Sequence, residues 1–384
     1  MKEQATNGVI VGLGAVALGL VSLLWLYGTR YPLHHDLAGG LNTAALAVQL
    51  GPAFDSYNSY FPPSERLWYS LAVMLGAMTG VGTAGANVAL TTLAVLISAG
   101  LATLIRRRTT GGAGPFFFGL SFLVLLAIPA LYKNIFGLRE HLVVLGLWPY
   151  LVLRAAPPED QKIGAGLRVA LGLWMGGTLL FKYFYAIVVF LIEVADALIQ
   201  RRIGPLFRAE NLIAAAVVAL YLGLWLLADP AQRAAIGAMR SSIGANLLPF
   251  DTAFAIARPW LVAAIVAVVL ARLSGAGWRI ILLGLVAVLG AMAVTWLQQR
   301  WYTHHLFPIL MAFIGWWWML GARLKLWVHP IAAAAALFAI EDQYSRNNWY
   351  VARVAEVSEA IEAAGLDLDG KRVGVLTMHP SPYN

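Results

Sequence analysis

The sequence predicts an all-α polytopic membrane protein. Three observations carry that reading: 60% of the 384 residues are hydrophobic, only 12% are charged, and the mean hydropathy is +0.73. A soluble globular domain holds about a quarter charged residues. The apolar residues fall in runs of about 20 that end in clustered arginines, the length and punctuation of bilayer-crossing helices. Roughly ten to twelve such spans fit the chain, leaving little for soluble domains. The net charge of +8 sits at the ends of apolar runs and implies no nucleic-acid partner. With no cysteine there is no disulfide and no thiolate metal or redox chemistry.

The first apolar run, 8–28, is long enough to span and lacks a small-residue cleavage site, so it reads as an uncleaved helix. The strongest basic signals are Arg106-Arg107-Arg108, Arg201-Arg202 with Arg208, Arg272 with Arg279, and Arg323 with Lys325. Placed in the cytoplasm with Lys2, they put the N-terminus inside and order the helices. The first span then leads to an extracytoplasmic loop at 29–66. Between Arg66 and Arg106 one net inward crossing is needed. Residues 62–80 therefore read as a surface or membrane-embedded helix, and 83–105 as the second span. Later outward spans fall at 115–132, 164–181, 211–228, 279–297 and 327–341. Inward ones fall at 141–156, 183–200, 254–272 and 306–322. The total is about eleven spans in a transmembrane domain at 1–340; twelve fit the charge pattern less well.

The tail at 341–384 is different and is expected outside the cell membrane. Residues 350–364 (YVARVAEVSEAIEAA) have helical periodicity, with Glu356, Glu359 and Glu362 on one face. Gly365 ends that helix, and 372–378 (RVGVLTM) reads as a strand, so a small α/β unit begins here. No internal repeat is evident, which disfavours an inverted-repeat transporter.

Charges in a membrane domain are costly and tend to be functional or paired. The predicted topology gathers four separated polar segments on the extracytoplasmic side. The first loop brings His34, His35, Asp36 and Asp55, and the next segment brings Lys133, Arg139, Glu140 and His141. Lys182 follows, then Gln298, Gln299, Arg300, Tyr302, His304 and His305. These residue types suit transfer of a group from an anionic lipid phosphate. Arg139, His141, Lys182, Arg300, His304 and His305 would bind and stabilise the departing phosphate. An aspartate suits the general base, with Asp36 and Asp55 the candidates. His35, Glu140 and Tyr302 complete the set on the acceptor side. A helical bundle offers the apolar groove that a polyprenyl tail needs.

Plainer roles stand beside these. Asp36 precedes Leu37, Leu41, Ala44 and Val48, so it could cap an amphipathic helix. Asp55-Ser56-Tyr57-Asn58 could be a turn. Arg139-Glu140 could be an internal ion pair at a helix end, and Lys182 could snorkel to the interface. Glu193 and Asp196, in the inner half of a span, suit structural pairing on the Arg201 side. Trp316-Trp317-Trp318 suits packing or lipid contact. His34-His35-Asp36 lacks the distant partners a metal site needs, and no HExxH spacing occurs, so no residue is assigned to a metal.

The opening loop, HHDLAGGLNTAALAVQLGPAFDSYNSYFPPSERLWYSL, resembles that of the GT-C superfamily of membrane glycosyltransferases. That superfamily includes dolichyl-phosphate-mannose-dependent mannosyltransferases and the aminoarabinose transferases that modify lipid A. Its pattern is a first span, an Asp in the first outer loop, an amphipathic helix, then an acidic residue and Pro-Pro entering a hydrophobic helix. Asp36 takes the first acidic position. FGLREHLVVLGLWPYL (136–151), FKYFYAIVVFLIE (181–193) and QQRWYTHHLFPIL (298–310) resemble segments of bacterial GT-C-like families, so the likeness spans most of 1–320. Phe61-Pro62-Pro63 stands where Asn-Pro-Pro is more usual, and Gly39 and Gly40 stand where aromatic residues usually follow the Asp.

The resemblance implies a GT-C-like bundle with juxtamembrane helices in its first outer loop. It implies inverting transfer from a polyprenyl-phosphate sugar to a glycan, lipid or protein acceptor on the outer face of a bacterial inner membrane. Asp36 would be the base, and Asp55 would position the acceptor or help hold a divalent cation; no other cofactor is implied. The rivals are a transporter or flippase of a lipid-linked or anionic solute, and an O-antigen polymerase or ligase. A transporter should carry charges near mid-span and a paired repeat. A polymerase should carry arginines in a large late loop, for which 229–252, with Arg233 and Arg240, is modest.

Overall fold

A computed structural model describes residues 2–28, 35–51, 63–111, 114–131, 135–228, 250–298 and 303–321. Among the described residues all regular structure is helical. The helices are α1 (Lys2–Gly28), α2 (His35–Leu50), α3 (Pro63–Thr79), α4 (Gly82–Thr109), α5 (Gly114–Leu131) and α6 (Arg139–Ala155). They continue as α7 (Ala165–Leu179), α8 (Ala186–Gln200), α9 (Ala209–Ala228), α10 (Phe250–Leu273), α11 (Trp278–Gln298) and α12 (Thr303–Gly321). Gly82–Thr109, Tyr183–Gln200, Phe254–Leu273 and Trp278–Gln298 are long and apolar enough, by length and composition, to cross a membrane. The predicted span at 327–341, the tail helix at 350–364, the strand at 372–378 and most of the loop at 229–252 lie outside the described residues.

The bundle is built around α6. Every residue from Glu140 to Arg154 is buried, as expected of a helix that is apolar on all sides along its middle. Helices α4, α7 and α12 pack directly on it. Two prolines explain how its neighbours are held. Pro149 within α6 has no N–H, so the Leu145 carbonyl loses its helical partner. That carbonyl instead accepts from Ser98 Oγ of α4 at 2.6 Å and from Trp174 Nε1 of α7 at 3.0 Å. Pro129 likewise frees the Leu125 carbonyl of α5. His141 Nε2 fills that vacancy at 2.8 Å, while its Nδ1 accepts the Gly137 N–H at 3.1 Å. Without water to hydrogen-bond, a broken helical carbonyl in a membrane bundle needs a side-chain partner of this kind.

Small residues set the remaining close contacts. A Cβ at Gly172 or Gly176 of α7 would meet Ile213 or Val217 of α9 within 3.0 Å. Gly284 of α11 leaves room for the Trp316 ring of α12, so the first residue of the Trp run is a packing residue. This is the small-residue packing by which membrane helices approach one another. Gly40 lies against the Tyr69 ring of α3; a Cβ would fall 2.5 Å from Cε2.

Helices α3, α4 and α6 share one end of the bundle. Gly137, with φ +82°, lies where a Cβ would meet Asn87 Nδ2 at 2.6 Å, so the start of α6 meets the first turns of α4. Trp68 Nε1 of α3 donates to Asn87 Oδ1 at 3.1 Å, and Gly76 of α3 abuts Gly82. Helices α3 and α4 therefore pack side by side from the turn that joins them. Arg106, Arg107 and Arg108 lie in the last turn of α4, at the opposite end.

That opposite end holds a buried ionic network. Arg154 of α6 bonds Glu193 Oε1 at 2.5 Å and Glu210 Oε1 at 2.7 Å. Arg168 pairs with Glu210 at 2.7 Å, Arg208 with Glu193 and Asp196 at 2.7 Å each, and Arg279 with Asp196 at 2.8 Å. Glu193 and Asp196 are thus structurally paired on the Arg201 side as expected, through Arg208 of that basic segment, with Arg154 and Arg279 as further partners. Arg201 is the left-handed residue, φ 51°, that ends α8 and turns the chain so that Arg208 reaches both acids.

Candidate functional site

The second polar cluster sits where α6 begins, about 20 Å along the helix from Arg154 at the ordinary rise per residue. Helices α2, α3, α6 and α12 all start here, and α11 ends here. Asp36, Glu65 and Glu140 occupy the first turns of α2, α3 and α6. Carboxylates are favoured at that place by the positive ends of the helix dipoles. Asp36 lies inside the first turn, one residue past the start of α2, rather than at the N-cap position.

Glu140 is the hub. It is fully buried, and its Oε1 bonds the Lys182 ammonium. The same oxygen lies 3.9 Å from His304 Nε2 and 3.8 Å from His305 Nε2. Its other oxygen, Oε2, is buried without a hydrogen-bond partner among the described residues. Lys182 also donates to Gln298 Oε1 at 2.9 Å. His304 Nε2 lies 3.4 Å from Asp36 Oδ2, and the Asp36 side chain is 30% exposed. Every other charged side chain of the group is more buried. Arg139 Nη1 lies 3.4 Å from Glu65 Oε2, and burial pushes the Glu65 carboxyl up to about 7 against the pull of that guanidinium. One carboxylate oxygen of Glu140 and a ring nitrogen from each of His304 and His305 lie within 4.8 Å of one another. One turn deeper the bundle becomes apolar, with a pocket lined by Val144, Leu147, Trp148, Tyr185, Ala291 and Pro308.

Of the residues predicted from sequence, the structure brings together Asp36, Arg139, Glu140, Lys182, His304 and His305 through direct contacts or a shared partner. Arg139 pairs with Glu65 of α3, and Glu140 with Lys182 from the link between α7 and α8. His141 is placed otherwise. Both its nitrogens are taken by backbone groups, so it has no ring atom left to bind a phosphate. His35 opens α2, but its side chain, like Asp55, Arg300 and Tyr302, lies outside the described residues. Glu65 belongs to the cluster and was not singled out by the sequence. Its signal is an acid two residues after Pro-Pro, in the first turn of a helix, in a chain with few acids.

Comparison with protein-family models, with curated proteins and with solved structures finds no match for this chain.

Proposed function

We propose that this protein is a membrane glycosyltransferase of the GT-C-like type. It moves a sugar from a polyprenyl-phosphate donor, with inversion, to a glycan, lipid or protein acceptor on the outer face of a bacterial inner membrane. The observation that carries the reading is Asp36 itself. It is the most exposed acid of a buried cluster that also holds Lys182, Arg139 and two imidazoles at one end of the bundle. In the reaction the acceptor oxygen attacks the anomeric carbon and gives its proton to Asp36. The carbon–oxygen bond to phosphate breaks, and the electron pair leaves with the polyprenyl phosphate. Lys182 and Arg139 offset the charge that develops there. Asp55, Arg300 and Tyr302 keep the roles that their sequence positions suggest.

A transporter is less well supported. The charged groups of α6 stand at its two ends, Arg139 and Glu140 at one and Arg154 at the other, and the residues between are uncharged apart from the backbone-bonded His141. A translocation site would place charge near the middle. The reading is tested by lipid retention. In native mass spectrometry the detergent-purified protein should retain polyprenyl phosphate much better than polyprenol of the same length, and Lys182→Met should narrow that gap. Equal retention of the two lipids by the unaltered protein would overturn the proposal.

A further inference from the structure

Glu140, His304 and His305 are positioned as a set of metal ligands, and we infer that they hold a zinc ion. Two helices supply the set: Glu140 from the first turn of α6, and the adjacent histidines from the start of α12. Adjacent histidines cannot close a site alone, but a ligand from a distant segment completes one. Here that ligand is fully buried, and both imidazoles are buried beside it. The two imidazole Nε2 atoms lie 3.9 and 3.8 Å from Glu140 Oε1, and their rings stand nearly perpendicular with centroids 4.4 Å apart. Zinc–ligand bonds of about 2.0–2.2 Å place tetrahedral ligand atoms about 3.3–3.6 Å apart; the three ligand atoms lie within 4.8 Å of one another, so a closing movement of at most roughly 1.5 Å completes the geometry.

A second observation points the same way. Glu140 Oε2 is buried and has no hydrogen-bond donor among the described residues. A buried carboxylate oxygen without a partner is costly, and a cation relieves it. The Lys182 ammonium rests on Oε1, the oxygen 3.8–3.9 Å from the imidazoles, and on Gln298, so a cation shared with the imidazoles needs the carboxyl group to turn Oε2 toward them. Two imidazoles and one carboxylate form a borderline-soft donor set that favours zinc over magnesium or calcium. Three protein ligands leave a fourth position, and Asp36 stands beside the set, 3.4 Å from His304 Nε2.

One consequence rests on the proposed function: zinc would supply, at the donor phosphate, the positive charge otherwise assigned to the imidazoles. The binding itself does not depend on that reading. The test uses the full chain in detergent, stripped with chelator, reloaded with zinc alone, desalted and analysed for metal content. About one zinc per chain is expected, as for a three-ligand site. His304→Asn and Glu140→Gln should each lose it. Cobalt loaded in its place should give visible absorption typical of four- or five-coordinate cobalt. Monodisperse elution and a melting temperature near that of the unaltered protein identify variants that still fold. Failure of the unaltered protein to retain zinc, or full retention by folded His304→Asn, overturns the inference. Sugar transfer by zinc-free protein would overturn the consequence for the donor phosphate, while leaving the proposed reaction intact. Zinc retention without any transfer would overturn the reaction and leave the zinc site intact.

Discussion

His141 and His304 begin neighbouring helices at the same end of the bundle, yet they do different work because of what their nitrogens already hold. His141 donates to the Leu125 carbonyl freed by Pro129 and accepts from Gly137. Removing its ring leaves two buried backbone groups unsatisfied. His141→Ala should therefore lower stability by about 1–3 kcal/mol. The measurement is a lower melting temperature, with polyprenyl-phosphate retention unchanged in the protein that remains folded; loss of lipid binding at full stability would contradict the structural role. His304 instead has its Nε2 within reach of Asp36 and Glu140. Nothing local in REHLVV or YTHHLF separates these cases. The freed carbonyl could be counted from Pro129, but its partner belongs to another helix and is invisible to spacing. The same holds for Glu140, whose use as a hub depends on three other segments.

At the scale of helices, α6 is a buried rod with an ionic cluster at each end. Arg154 is the central cation of the far cluster, bonded to Glu193 and Glu210 and almost fully buried. Arg154→Ala removes the buried cation that Glu193 and Glu210 share, leaving each carboxylate only its more exposed arginine, Arg208 or Arg168, and should cost about 3 kcal/mol. Arg168→Ala should cost clearly less, since Arg168 is 27% exposed and Glu210 would keep Arg154. Thermal unfolding in detergent ranks the two; a larger loss for Arg168 would contradict the network as described. Helix positions were legible because a membrane span writes itself as an apolar run with charged ends. The runs at 141–156 and 279–297 match α6 and α11 within a few residues. Which run forms the centre was not legible, because an apolar helix reads the same whether its faces meet lipid or protein. The pairing of Glu193 and Asp196 on the Arg201 side was legible, but the individual arginine was not, because the left-handed turn at Arg201 that brings Arg208 to both acids is a backbone event.

Across the whole molecule the two polar regions divide by end. One holds Asp36, Glu140, Lys182 and the paired histidines; the other holds the Arg154 network and the arginines that close α4. Basic clusters collect on the cytoplasmic side, so the Asp36 end faces outward in the proposed orientation. The convergence on that end was legible from sequence, because alternating spans return every second loop to the same face. Asp36 as the proposed base is the central claim. Its direct measurement is release of polyprenyl phosphate from a panel of polyprenyl-phosphate sugars by the protein in proteoliposomes, compared with Asp36→Asn. Asparagine keeps the shape but cannot accept the acceptor's proton, so release should fall by at least about 100-fold in a variant that folds and still binds donor lipid. Turnover by Asp36→Asn close to that of the unaltered protein would contradict the account.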